Sequence, residues 1–268
     1  AHMFTFRHTV ALAALVALFG CDTDTTDDPM DTQSPDETGE ASFRLVHLSP
    51  DAPAVDVWVV GLDEPVVADL AYGETSDYLD VVDGTYTVEL PAAGANGSSP
   101  AVWSGDLALA DDGTYTVIAA GLLGSMDAQD SFRVLPLEER WAEAEAGTYL
   151  ARIVHTSADA PTVAIDVGDD GMAEIDALAR FDDTGVAGVA LPADTELQVS
   201  LWAGADRVTG FTLPALPEGS EVFAIASGLV ADLPRDETGL SLLAVGPNGT
   251  VGFIGQIPVV YALHAGVD

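Results

Sequence analysis

The sequence predicts an all-β chain: two tandem antiparallel β-sandwich modules, immunoglobulin-like, preceded by a signal peptide and a disordered tether. Three observations predict it. The run Arg44-Leu45-Val46-His47-Leu48-Ser49-Pro50-Asp51-Ala52-Pro53-Ala54-Val55-Asp56-Val57 returns 108 residues later as Arg152-Ile153-Val154-His155-Thr156-Ser157-Ala158-Asp159-Ala160-Pro161-Thr162-Val163-Ala164-Ile165, with eight of fourteen positions identical. A period of that length is one small domain rather than a solenoid unit. Within each period, short apolar runs alternate with turn residues at about 12-residue spacing, the rhythm of a sandwich. Apolar residues make up 48% of the chain, so each module of roughly 100 residues can bury a core without staples.

The elements follow in chain order. Residues 1–20 are a signal peptide. Arg7 and His8 give a polar start, and 10–19 is an unbroken apolar run of ten residues, too short to span a bilayer. The run ends Leu18-Phe19-Gly20-Cys21, which resembles a bacterial lipobox. That resemblance implies cleavage before Cys21 and its lipidation; an ordinary secretory signal is the alternative. Residues 21–40 are an acidic tether, with eight acidic residues and no basic or aromatic one, and with too little apolar surface to order a chain.

Residues 41–137 are the first module, with strands at 43–48, 54–60, 66–71, 78–82, 83–90, 102–109, 112–117 and 131–137. The clearest is Gly84-Thr85-Tyr86-Thr87-Val88-Glu89-Leu90, where Tyr86, Val88 and Leu90 share one face and Thr87 and Glu89 the other. Asp112-x-x-Tyr115 has the form of a tyrosine corner, with Val117 where an immunoglobulin domain has Cys. Residues 138–147 predict a short helical linker, because Glu, Arg and Ala dominate and Gly147 can cap it, with Trp141 wedged between the modules. Residues 148–257 are the second module. Val199-Ser200-Leu201 answers Val88-Glu89-Leu90, and Ala226-Ser227-Gly228-Leu229-Val230 answers Ala119-Ala120-Gly121-Leu122-Leu123. Residues 258–268 read as the start of a third copy, with His264 and Asp268 spaced like His47 and Asp51, so the chain is expected to be cut from a longer one; the alternative is a final edge strand returning to the second module.

The run Val-His-x-Ser-x-Asp-Ala-Pro-x-Val, with Ala71-Tyr72-Gly73, Gly84-Thr85-Tyr86-Thr87-Val88 and Gly113-Thr114-Tyr115-Thr116-Val117 downstream, resembles the domain-of-unknown-function 4397 family. The resemblance covers 43–137 well and 150–245 less well. It implies a β-sandwich, often in tandem, in secreted and envelope proteins of bacteria, and it brings no catalytic residues. The second copy departs from the pattern at Ala158, which replaces Pro50, and at Arg180-Phe181-Asp182, which replaces Ala71-Tyr72-Gly73.

Candidate chemistry is sparse. His47, Ser49 and Asp51 carry the residue types of a hydrolase triad, as do His155, Ser157 and Asp159. All three sit within five residues, so the expected roles are structural: Ser49 and Asp51 bonding turn amides, His47 a neighbouring strand, with Pro53 and Pro161 shaping the turns. No catalytic site and no enzyme activity is expected. The pairs Asp111-Asp112, Asp169-Asp170 and Asp182-Asp183 are candidates for Ca²⁺, against a solvated acidic surface. Trp58, Trp103 and Trp202 are expected in the core rather than as a carbohydrate platform, and Asp56 with Trp58 forms a candidate exposed patch.

The charge restricts partners. With 44 acidic residues against 8 basic ones, all Arg, the net charge is −36. Such a chain repels nucleic acid and anionic lipid. The membrane is therefore expected as a partner only through the lipid anchor. The expected role is a lipid-anchored cell-envelope protein for adhesion, surface structure or partner display, with an unidentified protein or glycan partner. The alternative is a secreted ligand- or carbohydrate-binding module, in one version Ca²⁺-dependent.

Overall fold

The computed structural model describes residues 39–94, 100–233 and 236–258. The expectations for 1–20, for Cys21 and the tether up to residue 38, and for 259–268 lie outside them. The first half forms two four-stranded sheets. Strands β1 (Glu40–Leu48), β4 (Leu79–Val82), β7 (Thr114–Ala120) and β8 (Arg133–Glu138) make one sheet, ordered β4-β1-β7-β8. Strands β2 (Val55–Val59), β3 (Val67–Leu70), β5 (Gly84–Pro91) and β6 (Ala101–Leu109) make the other, ordered β3-β2-β5-β6. These are the eight strands read from the sequence.

The second half takes the same order. Strands β9 (Thr148–His155), β12 (Val189–Pro192), β15 (Glu221–Ser227) and β16 (Ser241–Gly246) run β12-β9-β15-β16, with β17 (Gly249–Ile254) added at the edge. Strands β10 (Val163–Val167), β11 (Ile175–Leu178), β13 (Leu197–Ala203) and β14 (Asp206–Leu213) run β11-β10-β13-β14. The all-β expectation holds, but the sheets are not wholly antiparallel: β1 pairs with β7, and β9 with β15, in parallel. Parallel neighbours need a long crossover, and here the chain makes it through the opposite sheet before returning beside its first strand.

Burial patterns separate the sheets into outer and inner. In β5, Val88 and Leu90 are buried while Thr85 and Thr87 are exposed, as the alternation predicts. In β1 and β7 the alternation fails, because both faces are covered. Phe43, Leu45, Val117 and Ala119 pack into their own sandwich. Val46, Leu48, Ile118, Ala120 and Leu137 pack instead against Val154, Phe223, Ile225, Leu243 and Val245 of the second sandwich. The two inner sheets thus bury one another, and the molecule is a stack of four sheets with three apolar layers.

The helix expected at 138–147 is absent. Residues 139–146 run without regular structure after β8. The Trp141 ring packs edge-on against Phe223, with centroids 5.2 Å apart. The Ala142 amide donates to the Ala187 carbonyl, 3.1 Å. Partly burying Trp141 and bonding the turn before β12 hold the segment in place, and that tertiary anchoring outweighs a weak helical preference.

Candidate functional site

The turn after β1 is held by its own polar side chains. His47 is fully buried, and its Nε2 donates to the Pro53 carbonyl at 2.9 Å. The Ser49 amide donates to His47 Nδ1 at 3.3 Å, and Ser49 Oγ donates to the Gly121 carbonyl at 2.7 Å. Asp51 accepts from the Leu123 and Gly124 amides at 2.7 and 2.8 Å. The partners differ in part from those expected: Asp51 does bond turn amides, but not those of its own turn. His47 bonds its own turn, whereas Ser49 and Asp51 reach the loop after β7. Gly121 is required there: its φ is +82°, and an added Cβ would lie 2.4 Å from the Ser131 carbonyl oxygen.

The second copy keeps most of this frame. His155 Nε2 donates to the Pro161 carbonyl at 3.1 Å, and Asp159 accepts from the Val230 and Ala231 amides at 2.8 Å each. Ser157 Oγ lies 3.4 Å from Asp159. His155 Nδ1 is buried with no hydrogen-bond partner among the described residues. Burial lowers the pKa of both imidazoles, so both are neutral at pH 7. In neither copy does the Ser hydroxyl point its hydrogen bond at the imidazole. The run that carries triad residue types is wired as a clasp between the first turn and the loop after the parallel strand.

Other sequence candidates fall into similar roles. Asp56 is buried and accepts from the Asp69 and Gly94 amides at 2.8 and 3.0 Å, so it forms no exposed patch with Trp58. Asp166 does the same for the Asp170 and Gly171 amides. Trp202 donates to Ser200 Oγ at 2.8 Å, and an added Cβ at Gly105 would meet the Trp103 ring at 2.5 Å. The Tyr115 hydroxyl accepts from the Ala110 amide at 3.1 Å, a corner of the expected kind with the direction of donation set by the amide. Of the Asp pairs, Asp169 accepts from Arg207, and Asp183 from Arg152 and from the Gly185 amide. Among the described residues, no group of three or more His, Cys, Asp or Glu is placed to hold a metal ion.

The feature that sequence reasoning missed lies between the inner sheets. Arg44 and Arg152, equivalent residues of the repeated motif, are 1% and 3% exposed. Arg44 Nη1 donates to the Gly246 carbonyl at 2.5 Å, and Arg152 Nη1 to the Glu138 carbonyl at 2.6 Å. Thr116 stands opposite Leu137, and Phe223 opposite Val245, so Glu138 and Gly246, one residue further on, are counterparts. Each arginine therefore reaches the same position of the other sandwich, and the interface has local two-fold symmetry. Phe223 lies between the two guanidiniums, 5.8 Å from each.

The remaining partners of the two arginines differ. Arg44 Nε donates to Thr116 Oγ1 at 2.8 Å, and its Nη2 lies 3.5 Å from Glu139. Glu139 also accepts from Thr116 and, at 2.8 Å, from Tyr78, whose own pKa burial raises. Arg152 instead pairs with Asp183 at 2.7 Å. The departures of the second copy sit here as well. The structure shifts the alignment by one residue: the Gly73 and Phe181 amides both donate to the motif histidine's carbonyl, so Arg180 stands at the place of Tyr72 and pairs with Asp130 of the first sandwich, and Phe181, at the place of Gly73, lies 3.9 Å beneath the Arg133 guanidinium. Tyr72 in turn shares a hydrogen bond with Ser227 at 2.9 Å.

A cleft of about 230 Å³ opens beside this symmetric contact, lined by Arg44, Thr114, Glu139, Trp141, Glu221, Phe223 and Pro247. Glu221 is half-buried, and burial and then the neighbouring Glu139 raise its pKa. The only signal for this site in the sequence is an arginine at the same place in the two copies of the opening strand.

Residues 41–166 match the family model described as a domain of unknown function, DUF4397. The matched segment covers the first sandwich from the second residue of β1 through β8 and runs on through β9 and most of β10. It supports the family reached from the motif. No curated protein matches the chain.

Proposed function

We propose that this chain, whose residues 41–166 carry the DUF4397 match, is a lipid-anchored protein of the bacterial cell envelope. Its paired sandwiches serve adhesion, surface structure or partner display without catalysis, and the second sandwich is a further copy of the first. The observation that carries the reading is the use made of the motif: His47, Ser49 and Asp51 direct their hydrogen bonds to Pro53, Gly121, Leu123 and Gly124 of the chain's own backbone. Polar groups spent this way stiffen a scaffold. A nucleophile needs its base within hydrogen-bond reach. The lipobox-like run ending at Cys21 and the acidic tether support the address.

The test is fractionation of the chain expressed with its leader in a bacterial host. The native protein is expected in the membrane fraction, and Cys21→Ser in the soluble fraction. Equal membrane partition of the two would overturn the anchor. The cleft between the sandwiches favours a second reading, the secreted ligand-binding module.

A further inference from the structure

We propose that the cleft between the inner sheets binds a small organic cation, an alkylammonium or guanidinium group, between Glu221 and Trp141. The inference concerns the cleft alone and does not depend on where the chain is anchored. The space, about 230 Å³, exceeds several waters at about 30 Å³ each, and it accepts the head and first methylenes of an amine.

The charges in the cleft do not balance. One cation, Arg44, faces two carboxylates, Glu139 and Glu221. Arg44 is already committed to Thr116, to the Gly246 carbonyl and to Glu139. Glu139 is committed to Arg44, Thr116 and Tyr78. Arg152, the other buried cation nearby, is committed to Asp183 and the Glu138 carbonyl. The Glu221 side chain makes no hydrogen bond or ion pair among the described residues, and it sits near a like charge, Glu139. A cation entering the cleft therefore meets a carboxylate without a counter-ion.

The walls select the kind of cation. Trp141, Phe223 and Pro247 supply an apolar and aromatic surface beside Glu221. An indole face is the strongest side-chain partner for a soft organic cation. Ca²⁺ takes about six to eight oxygen ligands, more than two carboxylates supply. The position is also asymmetric. The counterparts of Glu221 and Glu139 across the local two-fold are Thr114 and Pro247, which line the same cleft, so the carboxylates there are not repeated by the symmetry. The net charge of −36 raises the local concentration of any cation.

The test titrates the whole chain with 1,4-diaminobutane and, separately, with a capped lysine peptide, at physiological salt. The readouts are the Trp141 indole resonance and calorimetric stoichiometry. One saturable site with a shifted Trp141 signal is expected below about 10 mM. Glu221→Gln is expected to weaken it about tenfold, the size of one charge-assisted hydrogen bond, while the exposed-site control Glu218→Gln leaves it unchanged. Tighter binding of the diamine identifies a free amine as the natural source, and tighter binding of the peptide identifies a basic side chain. Unsaturable shifts spread over the acidic surface, equal affinity in Glu221→Gln, or equal loss in Glu218→Gln would each overturn the proposal.

Discussion

Replacing Arg44 by methionine keeps most of its volume and removes its charge from the centre of the molecule. The residue is 1% exposed and its side chain holds three acceptors, of which the Gly246 carbonyl belongs to the other sandwich. Its loss leaves Glu139, with a side chain 10% exposed, near Glu221 and without a counter-charge. Breaking a buried pair by removing one partner costs about 3–5 kcal/mol. For a chain of this size that corresponds to a fall in Tm of about 6–20 °C. Urea titration followed by circular dichroism gives the free energy, and a thermal scan gives the Tm. Adding Glu139→Gln to Arg44→Met is expected to restore part of the loss, because the stranded charge disappears. Arg152→Met is expected to cost less, since its partner Asp183 is 20% exposed and water can reach it. A loss below about 1 kcal/mol for Arg44→Met is the value of an exposed ion pair and would refute the reasoning.

Three other perturbations test the remaining parts. Asp51→Ala removes two amide bonds to the loop after β7 and is expected to cost about 1–3 kcal/mol. The cut made earliest by a protease is then expected within 121–131; cleavage elsewhere first would place the weak point outside the clasp. Acid sensitivity follows from His47 and His155, whose folded pKa values are lowered from 6.5. Below 6.5 the unfolded chain binds more protons, so their contribution is complete above 6.5 and declines as pH falls from there towards the folded values. Glu221 acts in the other sense: its folded pKa is raised from 4.5, so above 4.5 the charged form penalises the native state, and Glu221→Gln is expected to stabilise the protein at pH 7. Urea midpoints at pH 7 and pH 5 for the native chain and both His→Gln variants check the first sign, and the Glu221→Gln midpoint at pH 7 checks the second.

Much of the fold was legible because the outer strands obey the period-two rule. Val88 and Leu90 against Thr87 and Glu89 announce a half-buried strand, and the structure buries that face. The inner strands announce something different. Val117-Ile118-Ala119-Ala120 and Val222-Phe223-Ala224-Ile225-Ala226 are continuous apolar runs, the mark of a sheet covered on both sides. Read as ordinary sandwich strands, they concealed the contact between the two halves. Arg44 and Arg152 concealed it too, since an arginine in a strand is normally taken as solvent-facing. Propensity misled at 139–146, where Ala and Glu favour a helix but Trp141 is drawn into the interface. The clasp partners were illegible for a plainer reason: Leu123 and Gly124 offer only backbone amides to Asp51, about seventy residues away in sequence, and backbone groups leave no trace in residue type.

The central claim is that the two sandwiches share one buried interface and therefore fold as one unit. Differential scanning calorimetry of the whole chain tests it most directly. Ten apolar residues buried across that interface, with both arginines, predict one transition whose van't Hoff enthalpy equals the calorimetric enthalpy. Two resolved transitions, each unaffected by Arg44→Met in the other half, would contradict it.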